Sequence, residues 1–490
     1  MNWFRKQFYK PALVISAIGL LVLAAFTQTH LNRDRARMGV RGVALPESAP
    51  PVLAFTTVAL GGFRGLIANA LWIRATDLQD EDKFFEMVQL ADWITKLQPH
   101  FVTVWVHQAW NMAYNISVKF SNPYDRWLWV QRGIELLRDE GLRYNPQEPL
   151  IYRELAWFFQ HKMGADLDDA HLVYKRAWAE EMNKIFPGGR ANYEELFAPQ
   201  TPEAKERGKS LREKYKLDPR TMKKVDDQYG PFDWRMPEAH AIYWAILGLD
   251  RWKELGFDQA KKDDLMTLRR VIYQSMQLAF QRGRFIENKA EARLEFGPNL
   301  DIIPNANRAY EDMMEQVPEW RDHIKTGHRN FLKSAVYFLY THNRLAEAGK
   351  WFRYVKEKYP ESMPAELSLE EYAIEQVTTD VSETSHVRVT SAIEGLLGQS
   401  FYNLAIGEDA QATGYHNLAL KVWQRYQSKT EQSRERVGLV PFNQIKEEVR
   451  QRMLDPQSEM LSPVLIRQLL TVLGLSATNT PPVSAQDRGP

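Results

Sequence analysis

The sequence contains no cysteine among its 490 residues. Without cysteine the chain can form no disulfide, use no thiol nucleophile and hold no metal through thiolates. The same absence excludes attachment of a lipid to a cysteine side chain. A protein without cysteine is compatible with either side of a bacterial membrane.

The sequence also lacks an excess of charge of either sign. Its 63 basic residues nearly balance 62 acidic ones, which leaves a net charge of +1. Because no global positive field attracts a phosphate backbone, we expect no nucleic-acid partner. An HExxH pair, a glycine-rich phosphate loop and a GxSxG elbow are absent too, and we expect no cofactor.

Bulky apolar residues are plentiful: 44% of the residues are hydrophobic and 12% are aromatic. In the middle of the chain they recur at three- and four-residue steps. Met87, Ala91 and Ile94, for example, share one helical face, and Pro99 cannot continue that helix. The period predicts an all-α protein.

An uncharged apolar stretch near the N-terminus predicts a transmembrane anchor. It starts at Pro11, ends at Thr29 and follows a basic segment, residues 1–10. Its length is just sufficient for a helix to cross a bilayer. A cleaved signal peptide is the alternative, but no small-x-small site follows the apolar core. Arginines follow the stretch and compete with the basic N-terminus, and we choose a single-pass inner-membrane protein with a periplasmic body.

Residues 30–60 are predicted to be a linker, because they include the proline-containing run LPESAPPVL. The apolar run from Val52 to Phe63 is too short to span a membrane. We interpret it as a buried first helix, with a helix lying on the bilayer surface as the alternative.

Helical hairpins closed by a proline recur along the chain. The turns read KLQP up to Pro99, RYNP up to Pro146 and EKYP up to Pro360. Large, small and aromatic residues precede the turn at Pro360 at helical spacing: Leu332, Val336, Leu339, Ala348 and Phe352. Similar sets are Leu71, Ala75, Leu78 and Phe84; Tyr152, Leu155, Ala156, Phe159, Ala170, Tyr174 and Ala177; and Ala412 and Ala419 after Gly407.

This pattern resembles the tetratricopeptide-repeat superfamily, although strict 34-residue spacing holds at only one or two repeats. The resemblance implies a helical-hairpin solenoid whose concave face binds a protein or peptide. The N-terminal region is also similar to membrane-anchored bacterial repeat proteins.

The repeats fall into two predicted arrays. The N-terminal one covers residues 61–186 and the C-terminal one residues 238–475. Between them, residues 187–237 are rich in proline and glycine and are predicted to be an irregular insertion or hinge. Residues 476–490 are predicted to be a disordered tail.

A first group of chemically capable residues surrounds one predicted turn. His161, Asp169 and His171 offer nitrogen and carboxylate ligands for a divalent metal. The alternative, which we prefer, is that Asp168 or Asp169 caps the helix that starts there.

A second group lies in the run YGPFDWRMPEAH. Asp233 and Glu238 among aromatic side chains match the two carboxyl groups that a glycan-cleaving site needs. Alternatively, Glu238 occupies a helix first turn after Pro237, and the aromatics are core. A third interpretation makes this loop a binding surface of five residues: Tyr229, Asp233, Trp234, Arg235 and His240.

Two functions remain from the sequence alone. We expect a membrane-anchored scaffold that mediates protein–protein interaction in a bacterial envelope assembly. The alternative is an envelope hydrolase or lyase that acts on glycans with Asp233 and Glu238.

Overall fold

The computed structural model describes residues 2–37, 63–256, 262–288, 293–378, 386–432 and 439–475. Within these ranges the protein is all-α apart from one two-stranded hairpin, which confirms the predicted class. The chain forms two compact units, Met1–Val104 and Trp105–Pro490. This division lies well before residues 187–237, where the sequence analysis placed the break.

The first unit begins with helix α1, Asn2–Arg37, which contains the stretch predicted to be the anchor. The described apolar side chains of α1, from Ile15 to Phe26, are exposed. Among the residues that the structure describes, no helix combines the length and the apolar character needed to cross a membrane. Residues 38–62, with most of the predicted linker and surface helix, lie outside the described ranges.

Helices α2 (Phe63–Asp80) and α3 (Phe84–Leu97) form the first predicted hairpin. Its core contains Ala68, Ala91 and Ile94, together with Val104 at the start of the next helix. Helix α3 ends two residues before Pro99, as the missing amide of proline requires.

Three long helices with an unusual feature follow. Helix α4 (Val102–Trp110), helix α5 (Pro123–Glu135) and helix α6 (Pro149–Trp157) each run directly into a π-helical segment. These segments are Asn111–Ile116, Leu136–Gly141 and Phe158–Gly164. Helix α7, His171–Asn183, completes this part. π-helical turns are rare and occur mostly as single turns at functional sites, so three in neighbouring helices mark this region for attention.

Residues 187–237 are not irregular throughout, as the sequence analysis had predicted. They contain helices α8 (Tyr193–Phe197), α9 (Pro202–Glu213) and α10 (Pro219–Tyr229). The side chains of Asn192, Thr201 and Asp218 accept hydrogen bonds from the first free amides of these helices. A capping residue followed by proline starts α9 and α10, which is a common helix-start pattern.

The rest of the chain is helical except for one hairpin, which the prediction of a wholly helical array missed. Strands β1 (Arg284–Asn288) and β2 (Arg293–Gly297) pair antiparallel, with Phe285 opposite Phe296. The helices on either side of the strands are α11 (Pro237–Leu255), α12 (Lys262–Arg282), α13 (Ile303–Gln316), α14 (Arg321–Thr341), α15 (Leu345–Lys358), α16 (Leu369–Thr378), α17 (His386–Ile406), α18 (Asp409–Gln432), α19 (Phe442–Leu454) and α20 (Pro463–Val472).

The residues selected from the repeat pattern occupy packing positions. In the pair α14 and α15 all five are buried: Leu332, Val336, Leu339, Ala348 and Phe352. In the pair α17 and α18, Ala412 and Ala419 are buried, and Gly407 forms the turn with a φ of +85°. The spacing of small and large residues therefore identified the buried faces of these hairpins.

Candidate functional site

A pocket of about 500 Å³ lies where two of the π-helical segments meet helix α5 and the loop before α7. Its walls are formed by Tyr114, Val118, Arg126, His161, Lys162, Leu167, Asp168 and Asp169. Tyr114 belongs to the segment Asn111–Ile116, and His161 and Lys162 belong to Phe158–Gly164. The wide π turns thus place three of the lining side chains.

Asp168 holds the charged side of this pocket together. Lys162 Nζ lies 2.6 Å from one carboxylate oxygen, and an Arg126 guanidinium nitrogen lies 2.6 Å from the other. The Tyr174 hydroxyl and the amide of Ala170 also donate to Asp168. Burial by itself raises the pKa of Asp168, but these hydrogen bonds and the two cations outweigh it and lower the pKa. Asp168 is therefore an ionised, fully engaged carboxylate.

The neighbouring Asp169 is held much less firmly. Its carboxylate lies 2.7 Å from the second terminal nitrogen of Arg126, but its side chain is 84% exposed, against 8% for Asp168. Water screens an ion pair at such a site, so the bridge to Asp169 contributes little. One face of Arg126 is fixed inside the protein, and its other face is covered by a mobile type of contact.

Aromatic rings form the opposite side of the pocket. Tyr114 stacks on Trp110 with centroids 4.3 Å apart, and His161 stacks on Trp157 at 4.6 Å. The Tyr114 hydroxyl lies 3.2 Å from His161 Nδ1. Burial lowers the pKa of His161, and the charge of Lys162 lowers it further. The imidazole is consequently a neutral hydrogen-bonding group around neutral pH.

A second, buried charge network lies behind the loop. Lys175 Nζ contacts His171 Nδ1 at 2.8 Å and Asp166 at 3.2 Å, and Arg282 of α12 also pairs with Asp166. Glu238 is fully buried close to this network. Neither of its oxygens accepts a hydrogen bond from any other residue in the described part of the chain. Burial raises the pKa of Glu238 although Lys175 and Arg282 oppose that shift.

The three residues considered for metal binding do not form a ligand set. His161 faces Tyr114, Asp169 faces Arg126, and His171 faces Lys175 and Asp166. No group of three or more ligating side chains suited to a metal occurs among the described residues. The alternative role is present instead: Asp168 accepts the amide of Ala170 just before α7.

Asp233 and Glu238, the carboxyl pair proposed for glycan cleavage, are both buried. Both oxygens of Asp233 are occupied by Arg235, and the Phe285 amide donates to one of them at 3.0 Å. Glu238 lies in the first turn of α11, as the alternative stated, but forms no side-chain cap. No described pocket contains either residue. The geometry gives no support to a glycan-cleaving pair.

The five residues proposed as a binding surface are buried as well: Tyr229, Asp233, Trp234, Arg235 and His240. Their contacts are with the same chain. The Trp234 indole donates to Asp226, and a His240 ring nitrogen lies 2.8 Å from the Trp234 carbonyl. Binding through these residues stays a prediction, and in this structure they join the segment before α11 to its surroundings.

Sequence reasoning missed Arg126, Lys162 and Lys175. Lysines within an otherwise apolar helical face, as in FFQHKMG and LVYKRAW, were the available indication. Their common partners in the loop at residues 166–169 are visible only in the fold. Comparisons with protein-family models, curated proteins and solved structures give no match for this chain.

Proposed function

We propose that this chain is a membrane-anchored scaffold of a bacterial envelope, built from tetratricopeptide-like helical hairpins, that binds a protein or peptide partner. The observation that carries the proposal is the burial of the repeat positions in α14 and α15, from Leu332 to Phe352. Hairpins that bury such positions against one another leave extended helical faces free for partners.

The pocket between the π-helical segments is the partner contact that we assign to this scaffold. Its polar groups are already paired around Asp168, so they give shape and rigidity rather than a reactive group. At the rim, Leu167 is 73% exposed and Asp169 is available to a ligand. A rigid floor with an exposed apolar side chain is typical of a recognition pocket.

The anchor in this proposal rests on the sequence. The uncharged stretch from Pro11 to Thr29 follows a basic segment, and we place the body in the periplasm on that basis. Fractionation tests this part: the full chain is expected in the membrane pellet after a carbonate wash, and a variant without residues 1–37 in the supernatant. Recovery of the full chain in the supernatant would contradict the anchor.

Site-specific photo-cross-linking tests the scaffold in cells. A photoreactive residue at Leu167, in the full chain at its native level, is expected to give a discrete cross-linked species. The matched control is the same residue at Leu345, which is 48% exposed and lies away from the pocket. Equal products at both positions, or none at Leu167, would refute partner binding at this pocket.

A further inference from the structure

A second hollow lies in the C-terminal part of the chain, where α12, α13 and the start of α14 meet. Its volume is about 260 Å³. That is below the roughly 300–1,000 Å³ of typical small-molecule sites, and it suits a single large side chain. The sequence analysis assigned no role to the residues that line it.

The floor of this hollow is rigid and its rim is exposed. Tyr310 is buried, its ring lies 5.5 Å from that of Tyr273, and its hydroxyl donates to the side-chain oxygen of Gln277 at 3.1 Å. At the rim, Trp320 is 42% exposed and packs only edgewise against His323. A fixed aromatic floor beside an exposed tryptophan is the usual form of a protein-binding hot spot.

The polar groups of the hollow are hydrogen-bond donors or a cation. The exposed Arg270 guanidinium forms no ion pair with any described residue, and no acidic side chain is among those that line the hollow. Gln274 and Gln277 use their side-chain oxygens as acceptors. Within the described ranges their amide nitrogens donate to no other residue and therefore remain available.

This charge distribution differs from that of the first pocket. There Arg126 and Lys162 are both neutralised by aspartates of the same chain. Here the cation has no acidic partner, although the chain carries 62 acidic residues. Electrostatic complementarity therefore favours an acidic occupant.

We infer that this hollow receives a large aromatic side chain of a partner segment in which an acidic residue stands next to that aromatic. The ring would lie on Tyr310 and Tyr273 beside Trp320, and the carboxylate would pair with Arg270. The inference rests on the proposed scaffold function and names the chemistry of one of its partners.

Binding of three synthetic peptides tests the inference, with the full-length protein in nanodiscs and saturation-transfer NMR as the measurement. The probes are acetyl-Glu-Phe-Glu-amide, acetyl-Lys-Phe-Lys-amide and acetyl-Glu-Ala-Glu-amide. We expect the first to bind at least about fivefold more tightly than either of the others, which is the ratio that one exposed ion pair supplies. Equal affinity for the acidic and the basic peptide would overturn the inference.

Two variants localise the effect. Arg270→Glu is expected to reverse the preference between the acidic and basic peptides, and Trp320→Ala to reduce binding of both phenylalanine peptides. Arg308→Glu is the matched control, because Arg308 is also exposed, lies on the neighbouring helix α13 and does not line the hollow. Unchanged circular dichroism confirms folding of each variant.

An unchanged preference in Arg270→Glu would refute the assignment of this site. That result leaves the scaffold itself in place if cross-linking at Leu167 still captures a partner. Loss of both results would refute the proposed function together with the inference.

Discussion

Asp233 and Arg235 form a two-pronged ion pair inside the protein although they are only two residues apart. Arg235 Nε lies 2.9 Å from one oxygen of Asp233, and a terminal nitrogen lies 2.7 Å from the other. The pair also bonds to Asn183 of α7 and to the amide of Phe285 in β1. It therefore fixes the non-helical segment before α11 to two distant parts of the chain.

Gly189 tests how rigid that pair is. A Cβ atom there would lie 2.2 Å from an Asp233 oxygen, at a φ of +85°, whereas one on Gly188, at +75°, would meet nothing within 4 Å. We expect Gly188→Ala to cost about 1–2 kcal/mol for its left-handed backbone, and Gly189→Ala at least about 2 kcal/mol more for the clash. Urea unfolding measures both, and equal losses would show that Asp233 moves freely.

Asp168 and Asp169 offer a matched pair of neutralising substitutions. Both carboxylates contact Arg126, but only Asp168 is buried, and it also holds Lys162. We expect Asp168→Asn to reduce the free energy of unfolding by about 3–5 kcal/mol and Asp169→Asn by less than about 1 kcal/mol. Losses of similar size in urea unfolding would contradict the assigned roles.

Glu238 should make stability depend on pH. Its pKa is raised above the ordinary 4.5 in the folded protein by burial, so the folded state favours the protonated carboxyl. The contribution of this group is complete below that ordinary value and is lost as pH rises through the raised pKa. Relative to Glu238→Gln, the native protein should therefore lose thermal stability between about pH 4 and pH 8.

Differential scanning calorimetry of the two proteins over this range gives the measurement. Using the difference between them cancels the titration of all other groups. A difference in melting temperature that stays constant with pH would contradict a raised pKa. A difference that grows in favour of the native protein would reverse the sign and would indicate an ionised, paired Glu238.

Two helical glycines are expected to respond in opposite directions to alanine. A Cβ on Gly414 of α18 would lie 1.9 Å from the backbone oxygen of Thr341 in α14, whereas one on Gly395 of α17 would meet nothing within 4 Å. Gly395→Ala should stabilise the protein by about 0.5–1 kcal/mol through helix propensity. Gly414→Ala should destabilise it, because two helices touch there through their backbones. Stabilisation by both substitutions would exclude that close contact.

The sequence was informative where a structure depends on local periodicity. The all-α class and the buried faces of α14 and α15 follow from residues three and four positions apart. The end of α3 before Pro99 follows from the missing amide of proline. Such features need only a few neighbouring residues to be read correctly.

The candidate site depends on long-range contacts and was only partly predictable. His161 and Asp169 were selected, but their surroundings are set by Arg126, which contacts Asp168 over 42 positions. The same limit explains Asp233. Charged and aromatic residues in one run are compatible with a cleft or with a buried ion pair, and the contact with Phe285, 52 positions away, distinguishes them.

The π-helical segments have a consequence for the register of their helices. A π turn closes its hydrogen bonds one residue later than an α turn, so each segment accommodates one extra residue. Removing one residue from Phe158–Gly164 and restoring an α turn would rotate everything beyond it by about 100° around the helix axis. The helix that begins at Pro149 therefore carries two faces in series, one directed by the turns before Phe158 and another by the turns after it.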